Sequence, residues 1–167
     1  MGAFDIQSGY LPGAIGRIAE LHGRYYHREW GFGVFFEARV AKDLAAFCES
    51  FDPMHDQIWL AMLGARVEGS IVIDGGMDDL GEPADAHLRY FIISDRLRGQ
   101  GVGGEMMDLA IDFCRRKLYP RIYLNTFAGL NAARHLYEKY GFELVDEQFG
   151  EQWGTDVLEQ RFELQLL

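Results

Sequence analysis

The sequence predicts a mixed α/β sheet with helices on both faces. Three observations predict it. Strand pairs joined by short turns come early (57–74) and late (142–166). A strand–helix–strand crossover separates them, which is how parallel neighbours are joined in a sheet. And 49% hydrophobic with 25% charged residues supply one full core. A length of 167 residues fits one domain, spanning 1–167.

The elements follow in order. A first helix is expected from Pro12 to Trp30, with Pro12 in the first turn and Ile15, Ile18, His22 and Tyr25 or Tyr26 near one face. Gly31 and Gly33 interrupt it. A second helix over Phe35–Cys48 carries Phe36, Val40, Leu44 and Phe47 as its stripe, and Pro53 closes the segment. Strands Gln57–Leu63 and Val67–Asp74 flank Gly64-Ala65-Arg66 as a hairpin. A loop with Gly75, Gly76, Gly81 and Pro83 leads to a third strand, His87–Ile93. After a glycine cluster, Met106, Leu109, Ala110, Phe113 and Lys117 follow helical spacing as far as Leu118. A short strand, Arg121–Thr126, precedes the helical stripe Leu130, Ala133, Tyr137 and Tyr140, which Gly141 stops as a C′ glycine. Phe142–Phe149 and Val157–Leu166 are the closing strands.

Composition excludes several classes. Sixteen basic against 26 acidic residues give a net charge of −10, which repels phosphate backbones and argues against nucleic-acid binding. No apolar run reaches the roughly 18–20 residues of a membrane span. The start, MGAFDIQSGY, lacks the basic and apolar regions of a secretory signal. It also has Ile6 where a myristoylation signal has Ser or Thr. Cys48 and Cys114 are too few for a disulfide framework, and the expected setting is a reducing cytoplasm. Five scattered histidines without HExxH or CxxC predict no metal site.

The glycine cluster carries the chemistry. Arg98, Gly99, Gln100, Gly101, Val102, Gly103 and Gly104 follow an apolar strand and open a helix. Successive backbone N–H groups and the helix dipole there make a receptor for an anion such as a pyrophosphate. Gly99, Gly101 and Gly104 formally match GxGxxG. A dinucleotide fold, however, places that loop after its first strand and an acidic residue after the second. Here at least two strands come first, and the next strand ends in Leu124-Asn125-Thr126 without an acid. The GxxxxGK[ST] phosphate loop is absent.

Arg98-x-x-Gly101-x-Gly103 resembles the Arg/Gln-x-x-Gly-x-Gly/Ala signature of the GNAT N-acetyltransferases, which bind acyl-coenzyme A. The likeness extends to Leu88–Ile93, similar to that family's fourth strand, and to Ala133–Phe142, similar to its A-x-x-L-Y-x-x-x-G-F helix-to-strand motif. Gln152–Gly154, Glu159–Glu163 and Leu21–Tyr26 resemble acetyltransferase domains fused to MarR-type regulators, here in a free-standing form. The resemblance implies a central, mostly antiparallel twisted sheet and acetyl transfer from acetyl-CoA to a small-molecule or peptide amine. The alternative is an acyl-CoA sensor without turnover. A homodimer is a prior, with Trp153 and the final strands as partner surface.

The resemblance also implies roles. The loop from Arg98 to Gly104 cradles the pyrophosphate through backbone N–H groups. The pantetheine runs beside Phe91, Ile92 and Ile93, with Asn125 and Thr126 across from them. Relatives carry an asparagine seven residues before the motif tyrosine; here that position is Leu130, and Asn131 follows it. Tyr137 is the acid that protonates the leaving thiolate, against the competing role of a core tyrosine in its helical stripe. His87 stands where relatives place a base on the fourth strand, and a neutral imidazole suits a protonated amine. His22, His27 and Glu29 are rivals for that role, as is a water chain.

Overall fold

The computed structural model describes residues 3–167. The Met1-Gly2 start, with its incomplete myristoylation pattern, lies outside them. The elements are β1 (Asp5–Ser8), α1 (Ala14–Trp30), α2 (Val34–Glu49), β2 (Gln57–Leu63), β3 (Arg66–Asp74), β4 (Ala86–Ile93), α3 (Val102–Arg116), β5 (Arg121–Phe127), α4 (Asn131–Lys139), β6 (Glu143–Gly150) and β7 (Val157–Gln165). They form a seven-stranded sheet in the order β1-β2-β3-β4-β5-β7-β6. Only β4 and β5 are parallel neighbours; every other pair is antiparallel. This is the mixed, mostly antiparallel architecture expected.

Several boundaries and one element differ from the sequence reading, among them the start of α3, which lies at Val102 inside the glycine cluster. Pro12 lies in a turn, and α1 begins at Ala14 behind Gly13, whose φ of 91° places it in the left-handed region. Helix α3 ends at Arg116, and Leu118 adopts a φ of 64°. Strand β1 is additional. It has four mostly exposed residues and no apolar alternation, and it is a strand because β2 supplies its hydrogen bonds.

The helices divide between the two faces. Ile58, Leu60, Met62, Val67 and Val72 pack with Ala14 and Ile18 of α1 and Leu44 and Phe47 of α2. Trp59, Ala61, Ile71 and Ile73 pack with Met106, Met107, Ala110 and Phe113 of α3. Val67 and Val72 are five residues apart, yet they share a face. A bulge sets Ala61 and Met62 opposite Gly69 and Val67, so Glu68 is the extra residue that resets the alternation.

Helix α4 ends in a Schellman motif. The Gly141 N–H donates to the Glu138 carbonyl and the Phe142 N–H to the Tyr137 carbonyl, both at 3.0 Å. Gly141 has a φ of 93°, the conformation this cap requires. The cap buries Phe142 beneath Tyr137, with ring centroids 5.9 Å apart. The tyrosine is thereby seated before any ligand arrives.

Candidate active site

The site opens where β4 leaves β5. The two strands pair only at Ala86↔Ile122 and His87↔Tyr123. Beyond that register they part, so the β5-facing backbone edge of Leu88–Ile93 is left without a ladder. A bulge on the other edge contributes. Ser70 pairs with Ile92 and Val72 with Arg89, so Tyr90 and Phe91 stand opposite the single residue Ile71. Tyr90 takes a φ of 51°, a left-handed conformation uncommon for an aromatic residue. The Ser70 hydroxyl donates to the Tyr90 carbonyl at 2.6 Å and pins the bulge. The divergence leaves a cleft of about 650 Å³, walled by β4, β5, the start of α3, α4, and α1 and α2.

The glycine loop forms one end. The Leu97 and Arg98 N–H groups are satisfied by the Ser94 carbonyl. From Gly99 to Gly104, no backbone N–H has a hydrogen-bond partner among the described residues. Val102, Gly103 and Gly104 are the first residues of α3, whose leading N–H groups project beyond the helix. Gly99 and Gly101 have φ of 77° and 81°, which turns the chain into the helix at no steric cost. A Cβ on Gly101 would meet nothing within 4 Å, whereas one on Gly103 would touch Leu136 and Phe91 at 3.5 and 3.6 Å. Arg98 donates to the Ile93 carbonyl at 3.2 Å, pairs with Asp95 at 3.2 Å, and lies over the Tyr25 ring at 4.7 Å.

Tyr137 enters from α4. Its ring is buried against Phe91, Phe142 and Phe162, and its side chain lines the cleft. The hydroxyl has no hydrogen-bond partner among the described residues, and burial pushes its pKa up. Phe91, Ile92, Ile93, Asn125 and Thr126 line the cleft, with Asn125 exposed and Thr126 buried. Gln100, Gly104 and Asn131 lie outside its lining, although Leu130 and Ala132 are within it. Asn131 is exposed at the first position of α4.

The candidate bases separate clearly. His87 lies at the apex of the splay, stacked on Tyr123 with centroids 4.4 Å apart. Burial, and then the Arg89 and Arg161 guanidiniums, push its pKa down to about 3. It is therefore neutral at pH 7 but a weak acceptor for the proton of an alkylammonium. His22, buried on α1, also lines the cleft. Burial lowers it to about 4, partly offset by the Ile18 carbonyl. His27 and Glu29 are exposed outside the cleft lining, His27 bonded to the Phe32 carbonyl at 2.9 Å and Glu29 to Arg28.

Among the cleft residues to which the sequence reading gave no role are Tyr25, Tyr26 and Asp43. Tyr25 holds Arg98, and Tyr26 stands in an aromatic group with Phe32, Phe36 and Phe127. Burial, and then Tyr137, push the Tyr26 phenol up, and both tyrosines line the cleft. Asp43 of α2 is the third. The signal for Tyr26 was its i, i+4 spacing from His22, which also reads as ordinary core.

A splayed strand pair with a free N–H cradle at one end suits a long, pyrophosphate-bearing thioester. The sequence matches the acetyltransferase (GNAT) family model over residues 16–142. The chain belongs to that family. Among curated GNAT relatives, it is 34% identical over 85 residues to the N-acetyltransferase YjgM of Escherichia coli, covering 50% of this chain and 51% of that protein. It is 25% identical over 107 residues to N-acetyltransferase 8F1 of Rattus norvegicus, covering 64% and 48%. The chain thus spans about half the length of the curated relatives it matches. An acetyltransferase from Streptococcus agalactiae shares the GNAT fold, with a TM-score of 0.76 at 20% identity over 98% of each chain. So does yncA of Salmonella typhimurium, solved with acetyl-CoA, with a TM-score of 0.76 at 15% identity over 99% of this chain and 95% of that one.

Proposed function

We propose that this chain, as a single domain over 1–167, transfers an acetyl group from acetyl-CoA to the primary amine of a small molecule or peptide, by direct attack of the amine on the thioester. One observation carries the reading. Six consecutive backbone N–H groups, Gly99 to Gly104, lack partners at the start of a helix and at the mouth of a cleft between splayed strands. Such a set of donors fits a pyrophosphate. The S. typhimurium neighbour with bound acetyl-CoA supports the choice of ligand.

When bound, acetyl-CoA supplies an activated acyl group on a thiol leaving group. The residues of this chain have the following proposed roles. Gly99 to Gly104 hold the pyrophosphate, and Arg98 adds charge from its place on Tyr25. The free edge of Phe91, Ile92 and Ile93 pairs with the pantetheine amides and points an N–H at the thioester oxygen. Asn125 and Thr126 close the opposite wall. Tyr137 donates the proton to the departing sulfur. Asn131, outside the cleft lining, serves the outer part of the ligand.

His87 is buried in its stack on Tyr123, and burial, with the charges of Arg89 and Arg161 added, disfavours its taking a proton. We therefore assign removal of the amine proton to water entering the open cleft. The net charge of −10 supports an acceptor other than nucleic acid. Two free cysteines support a reducing, cytoplasmic setting. The likeness of the closing strands to regulator-fused domains, and dimerisation through them, belong to the same proposal.

The test is thiol release from acetyl-CoA across a panel of alkylamines, amino acids and peptides. Release dependent on one amine class supports the reading. CoA binding with no release from any amine would leave a sensor module and overturn it.

A further inference from the structure

On α1, the Nδ1 of His22 lies 2.8 Å from the Ile18 carbonyl. A carbonyl only accepts, so Nδ1 carries the proton and Nε2 keeps its lone pair. The residue is 6% exposed and lines the cleft. Nε2 has no hydrogen-bond partner, and it is not among the sealed polar atoms of the described residues. A lone pair at an otherwise buried position is thus presented to the cleft.

Its surroundings locate that lone pair. Tyr26, one turn along α1, stacks on the His22 ring with centroids 6.2 Å apart and lines the cleft with it. Tyr90, on the bulge of β4, meets the same ring edge-on at 6.2 Å, and its hydroxyl is sealed without a partner. From α2, Arg39 and Asp43 line the cleft and pair with each other at 3.6 Å. Among the described residues no cation pairs with the imidazole. His22 therefore stands in the part of the cleft walled by α1, α2 and the bulge of β4, beside Tyr26.

We propose that His22 is the hydrogen-bond acceptor for the incoming amine, its Nε2 receiving one amine N–H so that the nitrogen lone pair is turned towards the thioester. The proposal rests on the acetyltransferase reading above and assigns its acceptor side. No proton is transferred to His22. The amine arrives as the free base, its N–H stays covalent to nitrogen, and the imidazole remains neutral throughout. The depressed pKa of His22 suits this use, because a neutral ring stays an acceptor across the working range.

The test exploits the two ring positions. His22→Gln keeps an acceptor oxygen near the place of Nε2 and gives up the Ile18 contact. His22→Asn keeps a donor near the place of Nδ1 and removes the acceptor. Acetyl-CoA turnover is measured with propylamine and methylamine at alkaline pH, beside CoA titration of each variant. We expect kcat/KM for the amine to fall about tenfold in His22→Asn, the scale of one lost neutral hydrogen bond, with His22→Gln close to wild type. CoA affinity should be the same in all three. A purely structural His22 gives the opposite order, with His22→Asn retaining activity, and overturns the inference while leaving acetyl transfer intact. No release by the wild type with either amine or with the panel above overturns both.

A second measurement needs no variant. Nitrogen NMR of histidine-labelled wild-type protein should show an unprotonated Nε2 on His22 that shifts when propylamine is added and does not shift with tetramethylammonium, which has no N–H. A protonated Nε2, or equal shifts with both, overturns the assignment.

Discussion

Replacing Tyr137 by phenylalanine removes one oxygen and leaves the packing in place. The ring sits 6.3, 5.9 and 6.0 Å from Phe91, Phe142 and Phe162, contacts that a phenyl ring keeps. The hydroxyl has no protein partner to lose, so the stability change should stay below about 1 kcal/mol, the worth of a typical hydrogen bond. Truncation to alanine at this buried site would instead cost about 3–5 kcal/mol. The expected effect on turnover is much larger. Positioned general acids contribute about 10²–10⁴-fold. Burial pushes the Tyr137 phenol above its ordinary value near 10, whereas a thiol titrates near about 8.5, so the proton moves uphill to the sulfur. That places the loss near the low end, about 10²-fold in kcat. CoA affinity should be unchanged, because the contact is made in the transition state. Steady-state kinetics beside CoA calorimetry measure both. Wild-type kcat in a folded Tyr137→Phe protein would refute the reasoning and return Tyr137 to the core. A parallel loss of CoA affinity would make it a ground-state contact.

Three further outcomes are expected. Gly101→Ala forces a Cβ onto a backbone with φ 81°, which should cost about 1–2 kcal/mol of stability and at least tenfold in CoA affinity. Gly103→Ala, whose Cβ makes only ordinary contact with Leu136 and Phe91, should cost less on both measures, and equal affinities in the two folded variants would remove the cradle from Gly101. His87→Ala should leave the acid limb of the kcat/KM profile where it is, since His87 is already neutral down to about 3. A 10²-fold loss with a shifted limb would instead make His87 the base. Finally, His22 and His87 have folded values of about 4 and 3, below the ordinary value near 6.5. The unfolded chain therefore binds protons that the native one does not, and stability should fall as pH drops from about 6.5 towards 4. Urea midpoints at pH 7 and 5 measure it. His22→Gln should flatten the fall, and a flat wild-type profile would contradict the neutral burial of both rings.

Local chemistry made most of the elements legible. Each helix and strand from α2 to β7 has its counterpart in the sequence reading, and apart from the start of α3 the ends lie within two residues of it, because apolar periodicity and glycine punctuation act over a few residues. The loop from Arg98 to Gly104 was readable for the same reason. Glycines that turn the chain into a helix mark themselves by type and order, and Gly99 and Gly101 take the positive φ that only such residues accept readily. What the tertiary structure alone decided depends on chain segments meeting across long separations. Strand β1 exists only through β2. The bulge at Tyr90 and the two-residue pairing of β4 with β5 are properties of neighbouring strands, and they open the cleft. Helix α1 carries its His22 and Tyr26 to a place that α4 reaches from the other side with Tyr137, over a hundred residues later. No local pattern encodes that approach, so His22 and Tyr26 look in the sequence like any other members of an apolar stripe. His87 shows the converse. Its place on β4 was legible, but its proton affinity is set first by burial against the assembled sheet and then by the charges of Arg89, two residues on, and Arg161 from β7, all of which act on it only in the folded chain.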